Sequence, residues 1–165
     1  MRLNVWRSLA TWLFVLAVLT GCTGHMPRIV VVDDPLTAEE HLSLGASYES
    51  RGEFEAALEQ YRLAAEGGQK ARAELHNGNV RYRMKEFVVA EKHYRTAIEN
   101  DSGLADAYNN LAWLLFEERR NLEEAEKLAA KAVHISRERD GKPDPNFEDT
   151  LNQIRSARKP QDRLH

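Results

Sequence analysis

The feature that most constrains the fold of this chain is an internal repeat with a period of about 34 residues. In the first two copies the spacing is 33 residues, and it separates Gly45 from Gly78, Phe54 from Phe87, Ala57 from Ala90, and Tyr61 from Tyr94. A third copy follows with Leu111, Ala112, Leu115, Ala125, Ala129 and Ala132. Self-similarity at this period is typical of repeats that stack on one another, because a single unit cannot bury its apolar face alone.

The pattern resembles the tetratricopeptide repeat, a helix–turn–helix unit of about 34 residues, over roughly Ala38 to Val133. This resemblance implies an all-α fold, a right-handed α-solenoid of about three units with a C-terminal capping helix. The array would span 36–138, with units at about 38–70, 71–104 and 105–138. Gly45, Gly78 and Ala112 would lie mid-way along the first helix of each unit, where a larger side chain would push the partner helix away.

Apolar spacing and turn residues predict the positions of seven helices. We expect them at about 36–51, 54–67, 70–84, 87–100, 104–119, 122–138 and 146–158. Asp144 is the expected N-cap of the closing helix, with Pro145 at its first position. Residues 139–158 then form a loop and the capping helix, and 159–165 form a disordered tail.

The frame of the second copy is ambiguous over 71–84. Asn77 and Arg81 stand where the pattern expects apolar residues. A shift of one position would instead turn Leu75 and Tyr82 inward. The sequence leaves both frames open.

The start of the chain, up to Cys22, predicts export. Arg2 and Arg7 precede an apolar run, Ser8 to Leu19, and no acidic residue precedes Asp33. This is the layout of a signal peptide, and the run is shorter than the roughly 20 residues that a membrane-spanning helix needs. A plain secretory signal and an uncleaved anchor remain alternatives.

The run ends in Leu19-Thr20-Gly21-Cys22, which resembles the bacterial lipobox. The resemblance implies that 1–21 is a lipoprotein signal peptide, cleaved before Cys22, and that Cys22 carries diacylglyceryl and N-acyl lipids. Residues 22–35 would then be an extended tether. Thr23 follows the cysteine, where an aspartate would resemble an inner-membrane retention signal, so a periplasm-facing position on the outer membrane is favoured over the inner membrane.

Composition argues against several partners and chemistries. The formal charge of −3 includes no large basic block, so no nucleic-acid partner is expected. A single cysteine excludes an internal disulfide, and no phosphate-binding loop, nucleophile elbow or HExxH motif is present. We therefore expect no catalytic activity, no metal and no cofactor other than the lipid on Cys22.

The resemblance places a ligand groove on the first helices of the units. The residues expected to line it are Ser43, His76, Asn79, Asn109, Asn110, Trp113 and Phe116. Asparagine amides both donate to and accept from a peptide backbone, and aromatic rings supply flat apolar area. In the shifted frame Asn77 would replace Asn79; alternatively, Asn109 and Asn110 only solvate a helix and Trp113 packs on the closing helix.

Some members of the family bind a partner's C-terminal carboxylate with basic residues, and that arrangement is not evident in this sequence. Asp106 and Asn110 stand at the third-copy positions where Lys or Arg would be needed. The function expected is a membrane-tethered scaffold or adaptor that binds a protein or an extended peptide and aids an envelope complex. Pilus, secretion and polysaccharide-export systems are the analogies. The alternative is an envelope enzyme or a small-ligand carrier that uses the repeats as a framework.

Overall fold

The computed structural model describes residues 34–158. The predicted signal peptide, Cys22, nearly all of the tether and the C-terminal tail lie outside the described residues. Within 34–158 no helix combines the length and the apolar character needed to cross a membrane.

Seven α-helices make up the described part of the chain. They are α1 (Ala38–Ser50), α2 (Phe54–Glu66), α3 (Lys70–Arg83), α4 (Phe87–Asn100), α5 (Ala105–Glu117), α6 (Leu122–Asp140) and α7 (Pro145–Arg158). The helices pack as the pairs α1–α2, α3–α4 and α5–α6, which stack through α2–α3 and α4–α5. Helix α7 packs on α6 and α5. The described helices thus confirm the expected all-α stack of three helix pairs with a C-terminal cap.

Each of the first two pairs is held together by a glycine that faces a tyrosine. A Cβ atom added at Gly78 would lie 2.5 Å from Cδ1 of Tyr94, and one at Gly45 would overlap the ring of Tyr61. Both tyrosines are almost completely buried. The glycines are therefore required because the rings occupy the space that a side chain would need.

The third pair fills the same position differently. Ala112 stands where the other first helices carry glycine, and Ala129 stands where the other second helices carry tyrosine. Both alanines are fully buried. A small residue on α6 leaves room for a methyl group on α5, so the helices still pack closely without the aromatic ring.

The turn inside each pair places one residue in the left-handed backbone region. These residues are Gly52, Lys85 and Arg119, with φ of 78°, 63° and 51°, and they recur at the repeat period. The third turn is longer by one position, and there Asn121 also has a positive φ of 43°. The Asn121 side chain caps α6 by accepting a hydrogen bond from the Glu124 amide at 3.2 Å.

In the second copy Gly78 faces Tyr94 as Gly45 faces Tyr61, as the unshifted frame requires. Leu75 is also buried and Tyr82 packs against the core, as the shifted frame predicts. On α3, Asn77 Oδ1 and Arg81 Nε are buried, and neither has a hydrogen-bond partner among residues 34–158. The apolar core is divided into two clusters, one around α1 and α2 and one from α4 to α7, and α3 contributes side chains to both.

Helix α7 closes the array. Its amide at Asn146 donates to Asp144 Oδ1 at 2.8 Å, as expected of the N-cap, and the helix begins at Pro145. Phe147, Leu151 and Ile154 are buried against the third pair. The cap thereby removes from water the apolar face that the last repeat would otherwise expose.

Two histidines pack between the helices of a pair at equivalent places. His41 Nδ1 lies 2.8 Å from Gln60 Oε1, and His93 Nδ1 lies 2.6 Å from Glu74 Oε2. Glu74 stands one repeat period after His41, and His93 stands one period after Gln60, so the histidine has changed helix between the copies. Both side chains thus serve packing within a repeat.

Candidate functional site

The first helices of the three pairs, α1, α3 and α5, lie side by side and form one surface, here called the first-helix face. Side chains connect neighbouring helices across it. Arg72 on α3 pairs with Glu39 on α1, and Arg83 on α3 donates to the backbone carbonyl of Glu49 at 2.6 Å. Asn110 on α5 donates to Asn79 on α3 at 2.8 Å.

A cleft of about 310 Å³ opens on this face between α3 and α5, here called the α3–α5 cleft. It is lined by Glu49, Asn79, Tyr82, Arg83, Tyr94, Asn110 and Trp113. The lining combines two side-chain amides and three aromatic rings with one acidic and one basic residue. Binding sites commonly have this composition, a few fixed polar groups set among aromatic surface.

Two asparagines define the polar floor of the cleft. Asn79 Oδ1 accepts hydrogen bonds from Asn110 Nδ2 at 2.8 Å and from the Tyr94 hydroxyl at 3.1 Å. These contacts fix the orientation of both amides. Among residues 34–158 no hydrogen bond is made by Asn79 Nδ2 or Asn110 Oδ1, so a donor and an acceptor are available side by side.

The aromatic wall of the cleft is held by hydrogen bonds of its own. Trp113 Nε1 donates to the Tyr82 hydroxyl at 3.1 Å, and that hydroxyl donates to the carboxylate of Glu117. The Trp113 ring also packs against Phe116 at a centroid distance of 5.5 Å. Burial, and then the hydrogen bond to Glu117, raise the pKa of Tyr82. The hydroxyl therefore stays protonated and keeps donating at neutral pH.

The opposite end of the cleft is closed by Arg83 and Glu49. The Arg83 guanidinium lies over the ring of Phe54, 5.0 Å from its centroid. Glu49 Oε2 accepts from the Tyr61 hydroxyl at 2.8 Å, and burial together with that bond raises the pKa of Tyr61. Both charged groups are thus engaged with the first repeat.

Three of the seven residues predicted to line a groove do line the α3–α5 cleft: Asn79, Asn110 and Trp113. The other four lie elsewhere. Ser43 is exposed and donates to the Glu39 carbonyl of its own helix at 3.0 Å, and Phe116 faces α7 beside Trp113. Asn109 Oδ1 is buried without a hydrogen-bond partner in the described part of the chain.

His76, the fourth of these residues, packs on the ring of Tyr61. The two rings are stacked, with centroids 4.9 Å apart and planes inclined by 17°. Burial lowers the pKa of His76, an effect that nearby carboxylates, led by that of Glu49, partly oppose. His76 therefore supports the boundary between the first two repeats and lies outside the cleft lining.

Sequence reasoning did not identify Glu49, Tyr82, Arg83 and Tyr94 as cleft residues. A signal for two of them was present. Phe116 was expected in the groove, and Tyr82 and Glu49 occupy the equivalent positions in the two preceding copies. Tyr94 contributes through its hydroxyl although its ring is buried, and hydrophobic periodicity gives no sign of that role.

The stacked helix pairs and the cleft between first helices define a helical-repeat protein. The family described as Tetratricopeptide repeat matches residues 104–142, and tetratricopeptide domains of solved structure have a similar fold. The TPR2B domain of yeast Sti1, in a complex with pHsp70, is 19% identical, with a TM-score of 0.65 over 73% of this chain and 98% of that one.

Two further solved structures have the same fold. The first tetratricopeptide domain of Spaghetti (RPAP3), bound to the HSP90 peptide SRMEEVD, is 21% identical, with a TM-score of 0.62 over 75% of this chain and 94% of that one. The type III secretion translocator chaperone SycD of Yersinia enterocolitica is 18% identical, with a TM-score of 0.62 over 74% of this chain and 95% of that one.

A curated relative supports the same repeat in sequence. Stress-induced-phosphoprotein 1 of Caenorhabditis elegans is 41% identical over 66 residues, which is 40% of this chain. The chain spans about a fifth of the length of that relative, since the match covers 20% of it. The likeness therefore covers only part of each protein.

Proposed function

We propose that this protein is a membrane-tethered adaptor that binds an extended segment of another protein in the α3–α5 cleft. The observation that carries the proposal is the pair of oriented amides, Asn79 and Asn110, beside the Trp113 ring. A peptide carbonyl can accept from Asn79 Nδ2 while a neighbouring peptide N–H donates to Asn110 Oδ1. Because backbone groups make these bonds, the two amides favour extended chains over compact ligands.

The known structures support a peptide ligand. The Spaghetti domain was solved with an HSP90 peptide, and the Sti1 domain was solved in a complex with pHsp70. Carried over to this chain, the common feature is a protein segment bound to a tetratricopeptide array. The identity of that segment has to come from the residues of this cleft.

The segment bound here need not end in the cleft. Asp106 and Asn110 occupy the positions on α5 where basic side chains would be needed to hold a terminal carboxylate. A carboxylate beside Asp106 would meet a like charge, which is unfavourable. We therefore propose that the ligand is an internal stretch of the partner.

The second part of the proposal concerns the cell envelope. The sequence LTGC at 19–22 resembles a lipobox and follows a short apolar run. Lipid on Cys22 would hold the array at a membrane, preferably the outer membrane and facing the periplasm. There it would aid assembly or stability of an envelope complex of the pilus, secretion or polysaccharide-export type.

Site-specific photo-crosslinking in native envelopes tests the binding surface. A photoreactive residue at Asn110 or Trp113 is expected to capture a discrete partner, whereas one at Lys92 on α4 is not. Lys92 is a suitable control because it is exposed on a second helix, away from the first-helix face. Equal capture of the same proteins from all three positions would contradict the proposal.

Cell fractionation tests the anchor. A Cys22→Ser variant is expected to leave the membrane fraction and to lose labelling by a fatty acid, because one thiol carries the proposed diacylglyceryl group. Ala10→Ser, a change inside the apolar run, is a matched control that keeps Cys22. Unchanged membrane association and labelling of the Cys22→Ser variant would contradict the lipoprotein proposal.

A further inference from the structure

The first-helix face carries charges that do not balance from one helix to the next. On α1 and α3 two glutamates face two arginines, and they are joined as Arg72 with Glu39 and Arg83 with Glu49. Helix α5 adds two carboxylates, Asp106 and Glu117, to the same face and no cation. Among the ion pairs within residues 34–158, none involves Asp106 or Glu117.

The unbalanced carboxylates lie on both sides of Trp113 along α5. Asp106, Asn110, Trp113 and Glu117 follow one another at intervals of four, three and four positions, which places them on one face of a helix. Trp113 lines the cleft, and the two carboxylates flank it along the helix just outside the cleft lining. The bond from its Nε1 to the Tyr82 hydroxyl holds the ring in a fixed orientation.

An indole ring with carboxylates nearby is suited to a cationic side chain. The face of an aromatic ring attracts cations, and tryptophan does so most strongly. The Glu117 carboxylate lies close to the Trp113 ring. It accepts a hydrogen bond from the Tyr82 hydroxyl, to which Trp113 Nε1 also donates. An acidic side chain at this position would instead be repelled by Asp106 and Glu117.

We propose that the segment bound in the α3–α5 cleft carries a Lys or Arg side chain that lies against Trp113, with Glu117 as its counter-charge. This inference rests on the proposed function, because it specifies the chemistry of the segment that the cleft binds. The partner is accordingly a protein with a basic extended stretch. The neighbouring amides hold the backbone of that stretch and the third repeat selects its charge.

The electrostatic surroundings of two titratable groups agree with this assignment. Besides burial and hydrogen bonding, the charges of Glu117 and Glu118 raise the pKa of Tyr82. At His76 on α3, the carboxylates that raise the pKa outnumber the single cation, Arg72, that lowers it. Both groups therefore lie within the influence of carboxylates on this face.

In the described part of the chain, neither Asp106 nor Glu117 forms an ion pair with the cations near the face. Arg119 lines a surface pocket together with Glu117, and the charge of Asp106 helps to raise the pKa of Arg139, which pairs with Asp140 at 2.8 Å.

Arg83 donates to the Glu49 carbonyl and lies over Phe54, so its charge is directed toward the first repeat. Arg120, which follows α5, pairs with Glu91 on α4 at 2.8 Å. Neither guanidinium is positioned as the partner of Asp106 or Glu117.

Selection from a library of short random peptides displayed without a free carboxyl terminus tests the proposal on the full chain in detergent. Lys and Arg are expected to be enriched in the selected peptides. Replacing the enriched Lys or Arg by Gln should weaken binding roughly threefold to tenfold, the effect of one partly exposed cation–π contact together with a counter-charge. Enrichment of acidic or uncharged peptides would overturn the basic-segment proposal and leave the peptide-binding function standing.

A charge-reversal variant with a matched control sharpens the test. Asp106→Lys combined with Glu117→Lys should shift the selection toward Asp and Glu. Glu55→Lys combined with Glu99→Lys makes the same change in net charge on the second helices. Glu55 lies in the first turn of α2 and Glu99 in the last turn of α4, whereas Asp106 and Glu117 lie in the first and last turns of α5. If the control variant shifts the selection equally, the basic-segment proposal fails. If the wild-type chain enriches no peptide at all, both the basic-segment proposal and the proposed function are contradicted.

Discussion

In the second and third repeats, different residues lie at the close contact between the two paired helices. In the second, Gly78 on α3 faces the buried ring of Tyr94 on α4. In the third, the corresponding residues are Ala112 on α5 and Ala129 on α6, and both are fully buried. The distance between paired helices is therefore set by the two residues together, and neither position by itself defines the repeat.

The second repeat also contributes a tyrosine hydroxyl to the α3–α5 cleft, and the third repeat has no equivalent group. Tyr94 extends from α4 between the first helices, and its hydroxyl reaches Asn79 at 3.1 Å. The alanine at 129 has no polar side-chain atom to offer in the third repeat. The second repeat thus supplies both the spacing and one wall of the binding site, which a Gly–Tyr pair can do and an Ala–Ala pair cannot.

The largest effect is expected from Tyr94→Ala. Removing a buried aromatic ring leaves a cavity and should lower the free energy of unfolding by about 3–5 kcal/mol. The matched change in the third repeat, Ala129→Gly, should cost only about 1 kcal/mol, mainly through helix propensity. Urea denaturation followed by circular dichroism measures both. Similar losses for the two variants would contradict the difference described between the repeats.

Gly78→Ala should have the next largest effect on the free energy of unfolding. Although alanine favours helix by about 1 kcal/mol over glycine, its methyl group would overlap the Tyr94 ring, and overpacking typically costs about 1–3 kcal/mol. The variant is therefore expected to be less stable than the wild type in urea denaturation. Ala112→Gly in the third repeat should lose about 1 kcal/mol for the propensity reason alone.

A double-mutant cycle isolates the contact. In a Tyr94→Ala background the space beside Gly78 is vacated, so Gly78→Ala should become neutral or stabilising. Denaturation midpoints of the four proteins give the coupling. Additive losses in the double variant would show that Gly78 is required for some reason other than the ring.

A smaller effect is expected at the turns. Lys85 adopts φ of 63° where the first repeat has Gly52 at 78°, and in this backbone region side chains other than glycine cost about 1–2 kcal/mol. Lys85→Gly should therefore raise stability by up to about 1 kcal/mol, and Gly52→Ala should lower it by a similar amount. Thermal unfolding of both variants would reveal the opposite signs, whereas changes of the same sign would exclude backbone strain as the cause.

The smallest effect concerns pH. Burial lowers the pKa of His76 below its ordinary value of 6.5, so the unfolded chain takes up this proton first as the pH falls through that value. Stability is then lost until the folded-state pKa is reached. His76→Phe keeps a ring against Tyr61 and should reduce the loss of stability on acidification, measured as urea midpoints across the acid range. A loss of stability on acidification as large in His76→Phe as in the wild type would contradict this account.

The helices could be predicted well from the sequence because the same pattern of residues occurs in several copies. Gly45 and Gly78 recur at one period, and this period alone aligned the turns and the second helices. The frame around Asn77 and Arg81 was ambiguous because polar residues occupy inward positions there. Helix α3 packs on both sides, with Gly78 against Tyr94 and side chains in both core clusters, so the inward positions depend on several helices at once.

The cleft was harder to predict than the helices. Asn79, Asn110 and Trp113 were expected in the groove from their positions on the first helices. His76 was expected there on the same grounds but packs on Tyr61 instead. Helical periodicity predicts which way a side chain points. Packing against a neighbouring helix decides whether that side chain remains accessible to a ligand. The hydroxyl of Tyr94 is the converse case, a core ring with a polar end in the cleft.

The most direct test of the central claim is nuclear magnetic resonance of the side-chain amides during titration with a selected basic peptide. The claim is that Asn79 and Asn110 hold the backbone of a bound segment. Their amide resonances should shift in a saturable way, while those of Asn100, which is exposed at the end of α4 and bonded to its own helix, stay in place. Saturable binding that leaves the Asn79 and Asn110 resonances unmoved would contradict the assignment of the α3–α5 cleft as the binding site.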